Sequence, residues 1–292
     1  MRRLLALAVV GLTACGSFGL GAHPISLAFK SGDTYSYKLH AKLDYTIGAQ
    51  GLSIPFKLEL NAKDTVKVNS VDASGVADVT INLTDITIKS AVNGTDDTHV
   101  AKPETVNLKI SSDGHIVSVN GTALTSGALP DLTGMGNGLI SAVLPSGDVR
   151  VGDTWSKTYD SKPPTGSGSI HVKADNKYLG DEKVGAVQTA VVESKITSAI
   201  DITLDLSSLG VPMMSPEGAT TSPIAKTVAM KGTLTSTVTS WIDTAGRRIV
   251  KTHSTGNTDA TLNLSMASPS SAAGFNGPVT FKGTQAVEID PA

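Results

Sequence analysis

Residues 192–206 read VESKITSAIDITLDL, and residues 228–242 read VAMKGTLTSTVTSWI. In the first run Val192, Ile196, Ile200, Ile202, Leu204 and Leu206 share one parity, and Glu193, Lys195, Thr197, Asp201, Thr203 and Asp205 take the other. In the second run Val228, Met230, Leu234, Val238 and Ile242 oppose Thr227, Lys231, Thr233, Thr235, Thr237 and Thr239. A side-chain period of two marks a strand with one buried and one wet face. Each run covers 15 residues, against about 5–6 for an ordinary strand. At ~3.3 Å per residue such a strand approaches ~50 Å. Strands of that length coil rather than stay flat, and Gly232 is where a bend costs least.

The rest of the chain repeats this pattern. Gly32-Asp33-Thr34-Tyr35 recurs as Gly152-Asp153-Thr154-Trp155, 120 residues on, each time ahead of alternating residues. Ser112-Asp113-Gly114 lies between two strand-like stretches, as does Asp243-Thr244-Ala245-Gly246. Both read as hairpin turns in which glycine supplies a positive φ. Val79, Ile81 and Leu83 alternate until Thr84-Asp85, where Ile86 and Ile88 continue on the other parity. A bulge or a strand bend does that. Helix signals are sparse: residues 129–144 carry one short apolar stripe, and 206–225 contain three prolines.

These features predict an all-β chain of two similar antiparallel curved-sheet repeats, half-barrel or sandwich-like, with at most one or two short helices. The expected division is a signal peptide over 1–14, a tether over 15–30, a first β repeat over 31–145 and a second over 146–292.

The N-terminus reads MRRLLALAVVGLTAC. Arg2 and Arg3 precede an apolar stretch over 4–12, too short to span a bilayer as a helix. Leu12-Thr13-Ala14-Cys15 resembles the lipobox of bacterial lipoprotein signal peptides. That resemblance implies that Cys15 receives a diacylglyceryl group and becomes the mature N-terminus. It places the body outside the cytoplasm, anchored to a bacterial membrane, and to the outer membrane where the cell has one. A secretory cut after Gly16 and an uncut anchor are the alternatives.

Composition narrows the chemistry. Cys15 is the chain's one cysteine, so no intrachain disulfide and no Cys-based zinc cluster can form. The net charge is -2 and aromatics are 4% of residues, which argues against a nucleic-acid groove. Gly166-Ser167-Gly168-Ser169 lacks the spacing of a nucleophile elbow. The six histidines, His23, His40, His99, His115, His171 and His253, show no metal-ligand spacing, and Asp96, Asp97 and His99 read as a solvated loop. Asp33 and Asp153 read as turn residues bonding the following amides. Arg247-Arg248 reads as a solvated hairpin tip, with anionic headgroups as the alternative contact. No motif calls for a metal or cofactor, and no constellation supports catalysis.

Two resemblances follow. Val149-Arg150-Val151-Gly152-Asp153-Thr154-Trp155, with Tyr178-Leu179-Gly180 and Val184-Gly185-Ala186 behind it, resembles a class of bacterial surface lipoproteins carrying V-G-D-x-W. The match covers residues 145–255 and implies no activity. More distantly, long amphipathic strands behind a lipobox are similar to lipoprotein and lipid carriers of the LolA, LolB and LppX type. Those carriers fold as a curved sheet around an apolar face, and no site residues transfer from them.

The expected function is a membrane-anchored, non-catalytic envelope lipoprotein that binds a lipid or other apolar ligand. Val192, Ile196, Ile200, Ile202, Leu204, Met230, Leu234 and Val238 would line the cavity, and Met213 and Met214 would cap it. The same rows also read as an ordinary sandwich core. The alternative function is a structural or interaction module displayed to other envelope proteins.

Overall fold

A computed structural model of the chain describes residues 22–119, 122–123, 143–161, 167–205, 225–266 and 278–292. Every helix or strand element among them is a β-strand. In chain order these are β1 (His23–Pro24), β2 (Thr34–Ala49), β3 (Leu52–Val71), β4 (Ala77–Val92), β5 (Thr95–Val100), β6 (Glu104–Ile110), β7 (Ile116–Val119) and β8 (Thr122–Ala123). Then come β9 (Asp148–Val149), β10 (Thr154–Ser161), β11 (Ser167–Val184), β12 (Val187–Asp205), β13 (Ala225–Asp243), β14 (Ile249–Met266) and β15 (Pro278–Pro291).

Thirteen of these strands form one antiparallel sheet. Its order is β10-β11-β12-β13-β14-β15-β2-β3-β4-β6-β7-β8, with β5 paired to β4. The second repeat is a six-strand meander, the first has seven strands because β4 pairs with both β5 and β6, and the second precedes the first across the sheet. They are fused where β15 pairs with β2, from Val279 opposite Ala49 to Pro291 opposite Tyr37. β1 and β9 form a separate two-stranded sheet.

The repeated Gly-Asp motif has the same backbone wiring in both copies. Gly32 N–H donates to Val68 O at 2.8 Å, and Val68 N–H donates to Asp33 O at 2.9 Å. Gly152 N–H donates to Tyr178 O at 2.8 Å, and Tyr178 N–H donates to Asp153 O at 3.0 Å. Gly32 and Gly152 have φ of 92° and 94°, a region closed to most L side chains. A bulge follows each time, at Val68/Ser70 in β3 and at Tyr178/Gly180 in β11. The parity flip at Thr84-Asp85 is also a bulge: Asn61 faces Thr87 but Lys63 faces Thr84, and Asp85 has φ of 52°. The flip keeps Ile81 and Ile86 both buried.

Curling brings the ends of the sheet together. Asp113, in the turn between β6 and β7, meets Lys157 on β10, and the rings of His115 and Tyr159 lie 6.1 Å apart. β10 and β8 are not paired, so the sheet is an unclosed half-barrel. Residues 25–29 plug the turn-bearing end. Leu27 N–H donates to Ser112 O in the first repeat, and Ala28 N–H donates to Arg247 O in the second. Leu144 N–H donates to Asp113 O. Ile25, Leu27 and Leu144 then pack with Tyr178, Val192 and Ile242 in one buried cluster.

Four local details differ from the sequence reading. Asp96, Asp97 and His99 are exposed as expected, but they stand on strand β5, paired with β4, rather than in a loop. At the β13–β14 turn the positive φ falls on Arg247, not Gly246. Gly246 is required instead because a Cβ there would sit 2.4 Å from Asp243 Oδ2, whose carboxylate caps Ala245 and Gly246 N–H. Asp33 accepts from the Tyr35 hydroxyl and Asp153 from Arg150 N–H, rather than from following amides. Arg247 is exposed at the hairpin tip, as expected, whereas Arg248 is half-buried. Arg247 donates to Ser26 in the plug, and Arg248 lies 4.9 Å from the Tyr35 ring centre and 3.5 Å from Asp243.

Candidate functional site

Alternation puts one row of side chains on the inner face across seven strands. Ile196 faces Ser236, Ser236 faces Gly256, Gly256 faces Gln285, Gln285 faces Leu43, Leu43 faces Leu58 and Leu58 faces Ser90. A cavity of about 1020 Å³ lies along this row, lined by all of these residues. Its size suits a ligand of drug or acyl-chain dimensions.

The lining is mixed. Leu43, Leu58 and Ile196 are apolar, Ser90, Ser236 and Gln285 bring hydroxyl and amide groups, and charged residues including Lys57, Glu59, Lys89 and Lys195 also border it. Gln285 is buried and held by Tyr45, whose hydroxyl donates to Oε1 at 3.0 Å and lies 3.3 Å from Thr258 Oγ1. Gly283 makes room for that tyrosine: a Cβ there would fall 2.3 Å from Tyr45 Cδ1. Tyr45 orients the Gln285 amide, which leaves its NH₂ group to the cavity side or to neighbouring acceptors.

The residues expected to bind ligand are distributed unevenly. Ile196, Ile200, Ile202, Met230, Leu234 and Val238 belong to one buried cluster with Ile170, Val172, Ala174 and Ala260. Val192 belongs to the cluster at the plugged end. Of these seven only Ile196 lines the cavity. The backbone of Leu204 pairs with Val228. Met213, Met214 and Cys15 lie outside the described residues. Sequence reasoning missed Leu43, Leu58 and Gln285. The alternation of Leu39, Ala41 and Leu43 against Lys38, Lys42 and Asp44 was the available signal.

A smaller cavity of about 60 Å³ lies under the plug, lined by Leu27, Tyr37, Asp64, Arg248 and Thr252 among others. Asp64 is 2% exposed, and neither its Oδ1 nor Thr252 Oγ1 has a hydrogen-bond partner in the protein. Burial pushes the Asp64 carboxyl up to about 7.

Asp113 shows the opposite balance. Burial would raise it, but hydrogen bonds from His115, Lys157 and Ser111 outweigh that and hold the carboxyl well below the usual range. Ser111, His115 and Asp113 carry the residue types of a catalytic triad but not its geometry. Ser111 Oγ and Asp113 Oδ1 both meet the same imidazole nitrogen, Nδ1, at 2.6 and 2.5 Å. A relay needs one partner on each ring nitrogen.

The chain matches no family model and no curated protein.

Proposed function

We propose that the protein is a lipid-anchored, non-catalytic envelope protein whose half-barrel holds an amphipathic ligand such as a lipid. The observation that carries this reading is the cavity of about 1020 Å³ on the inner face. Its apolar side chains suit an acyl chain, and Gln285 with the two serines suits a polar head or linkage. The lipobox-like Leu12-Thr13-Ala14-Cys15 supports an anchor at Cys15 on the outer side of a bacterial membrane. An acyl anchor of that kind would keep the body near a lipid reservoir.

The second reading is a structural or interaction module for other envelope proteins. The packing of Val192 and Val238, each 0% exposed, supports it, because those rows then need no ligand to be buried.

Organic extraction of the purified full chain followed by mass spectrometry separates the two. The carrier reading expects lipid above the level in a control protein. It also expects delipidated protein to take up a fluorescent fatty acid. Neither signal in either assay would leave the interaction module. Cys15→Ser tests the anchor: the protein should leave the membrane fraction and lose acyl labelling, and unchanged association would refute the lipobox.

A further inference from the structure

The outer face carries a separate constellation that no sequence motif announces. His253 on β14 faces Glu288 on β15, and Glu288 faces His40 on β2. Paired residues on adjacent strands share a face, so the three side chains stand in one row. Asp290, two residues past Glu288, adds a carboxylate on the same face. One ligand atom from each of His253, Glu288 and Asp290 lies within 4.8 Å of the other two. His40 Nδ1 is 3.8 Å from Glu288 Oε2.

We propose that this row binds a divalent late-transition-metal ion, zinc foremost, through His253, Glu288, Asp290 and His40. The donor set selects the class. Two imidazoles with two carboxylates suit zinc, copper or nickel, whereas magnesium and calcium want a shell of oxygens. Zinc with ligands at about 2.0–2.2 Å spaces a tetrahedral set at roughly 3.3–3.6 Å, so the trio closes by about 1–1.5 Å. Side chains on the solvent face can make that rotamer change without disturbing the core.

The surroundings are those of a supported site. Glu59 Oε1 lies 3.3 Å from His40 Nε2, without hydrogen-bond alignment, on the side away from Glu288. A carboxylate behind a ligating imidazole is the usual means of fixing its tautomer. Trp241 meets His253 edge-on at 5.5 Å and 78°, which restricts its rotation. Lys251 is the competitor. Its Nζ is 3.0 Å from Asp290 Oδ1 and 5.3 Å from the Trp241 ring centre. Metal binding therefore requires Lys251 to leave Asp290, and the Trp241 face offers the ammonium a resting place. Lys38, opposite Asp290 on β2, adds a second opposing charge.

The test uses untagged full chain stripped with chelator. Zinc titrated by calorimetry should bind at one ion per chain, and magnesium at the same concentration should give no heat. Cobalt should quench Trp241 emission in a Trp155→Phe background. His253→Ala and Glu288→Gln should each weaken zinc at least tenfold, and Lys251→Met should tighten it. Circular dichroism and melting confirm that the variants fold, and Glu288→Gln is a near-isosteric check on the larger change. No zinc uptake up to ~1 mM, a dissociation constant of negligible strength, would overturn the site. So would binding that survives the His253→Ala/Glu288→Gln pair unchanged.

Discussion

Lys157 Nζ donates to Asp113 Oδ2 across 2.7 Å, and the two residues come from opposite ends of the same sheet. Lys157 is on β10, the free edge of the second repeat. Asp113 is in the β6–β7 turn of the first. The same residue's carbonyl accepts Leu144 N–H, so the contact joins the sheet ends and the plug at one point. Both side chains are about three-quarters buried, at 25% and 26% exposure, which places the pair well inside the range where charged hydrogen bonds matter.

Asp113→Asn should therefore destabilise the chain by about 2 kcal/mol at neutral pH, read by urea unfolding. The Asp113 carboxyl is depressed in the folded state, so its contribution is present above the ordinary carboxylate value and fades as pH falls. The gap between wild type and Asp113→Asn should narrow below pH ~4. An equal gap at pH 3 and pH 7 would sink this account.

Asp64 should act with the opposite sign. Its folded pKa is raised to about 7, so the folded state binds more protons than the unfolded chain between about pH 4 and 7. Its contribution is complete below the unfolded value and is lost as pH rises through 7. Asp64→Asn should leave stability near wild type at pH 4.5 and raise it at pH 8 by roughly 2–3 kcal/mol. A variant less stable than wild type at both pH values would mean that the ionised carboxylate has a partner after all.

What could be read in the sequence follows from which interactions are local. The alternation at 192–206 and 228–242 specifies strand, face and length, because side-chain parity is a property of a single strand. The Gly-Asp repeat was visible because both copies need the same positive φ at the same place. The cavity was not visible, since its row takes one residue from each of seven strands. Ile196 and Leu43, four strands apart in the row, come to line one cavity only through the β15–β2 junction, and nothing local in either segment specifies that pairing. Asp113 and Lys157 are hidden for the same reason, being joined by curvature. The half-burial of Arg248 and the contact of the exposed Arg247 with Ser26 were hidden, because a charged pair beside a turn gives no sign of a plug returning from residues 25–29.

The cavity can be tested without knowing its ligand. Ser236 and Val238 lie two residues apart on one face of β13, but only Ser236 lines the cavity. Ser236→Phe places its ring in open space and should cost less than ~1 kcal/mol. Val238→Phe forces the same ring into filled core and should cost about 1–3 kcal/mol. Ser236→Phe should also reduce uptake of a fluorescent fatty acid. Equal costs for the two variants would show the inner face to be packed throughout.

Leu27 links the plug to the charge beneath it. It is 3% exposed, packs with Tyr178 and Val192, and lines the small cavity that also holds Asp64. Leu27→Ala removes buried methyl groups and should cost about 2–4 kcal/mol where Asp64 is neutral. It also enlarges a cavity that contains a carboxyl and a hydroxyl, so water gains access. A hydrated Asp64 ionises more easily, and its pKa should fall back toward the ordinary range. Part of the penalty for the lost packing is then offset at high pH. Urea unfolding should show Leu27→Ala to be more damaging at pH 5 than at pH 8. In an Asp64→Asn background that pH dependence should vanish, because the titrating group is gone. A cost independent of pH in both backgrounds would separate the plug from the buried carboxyl and leave Leu27 as packing alone.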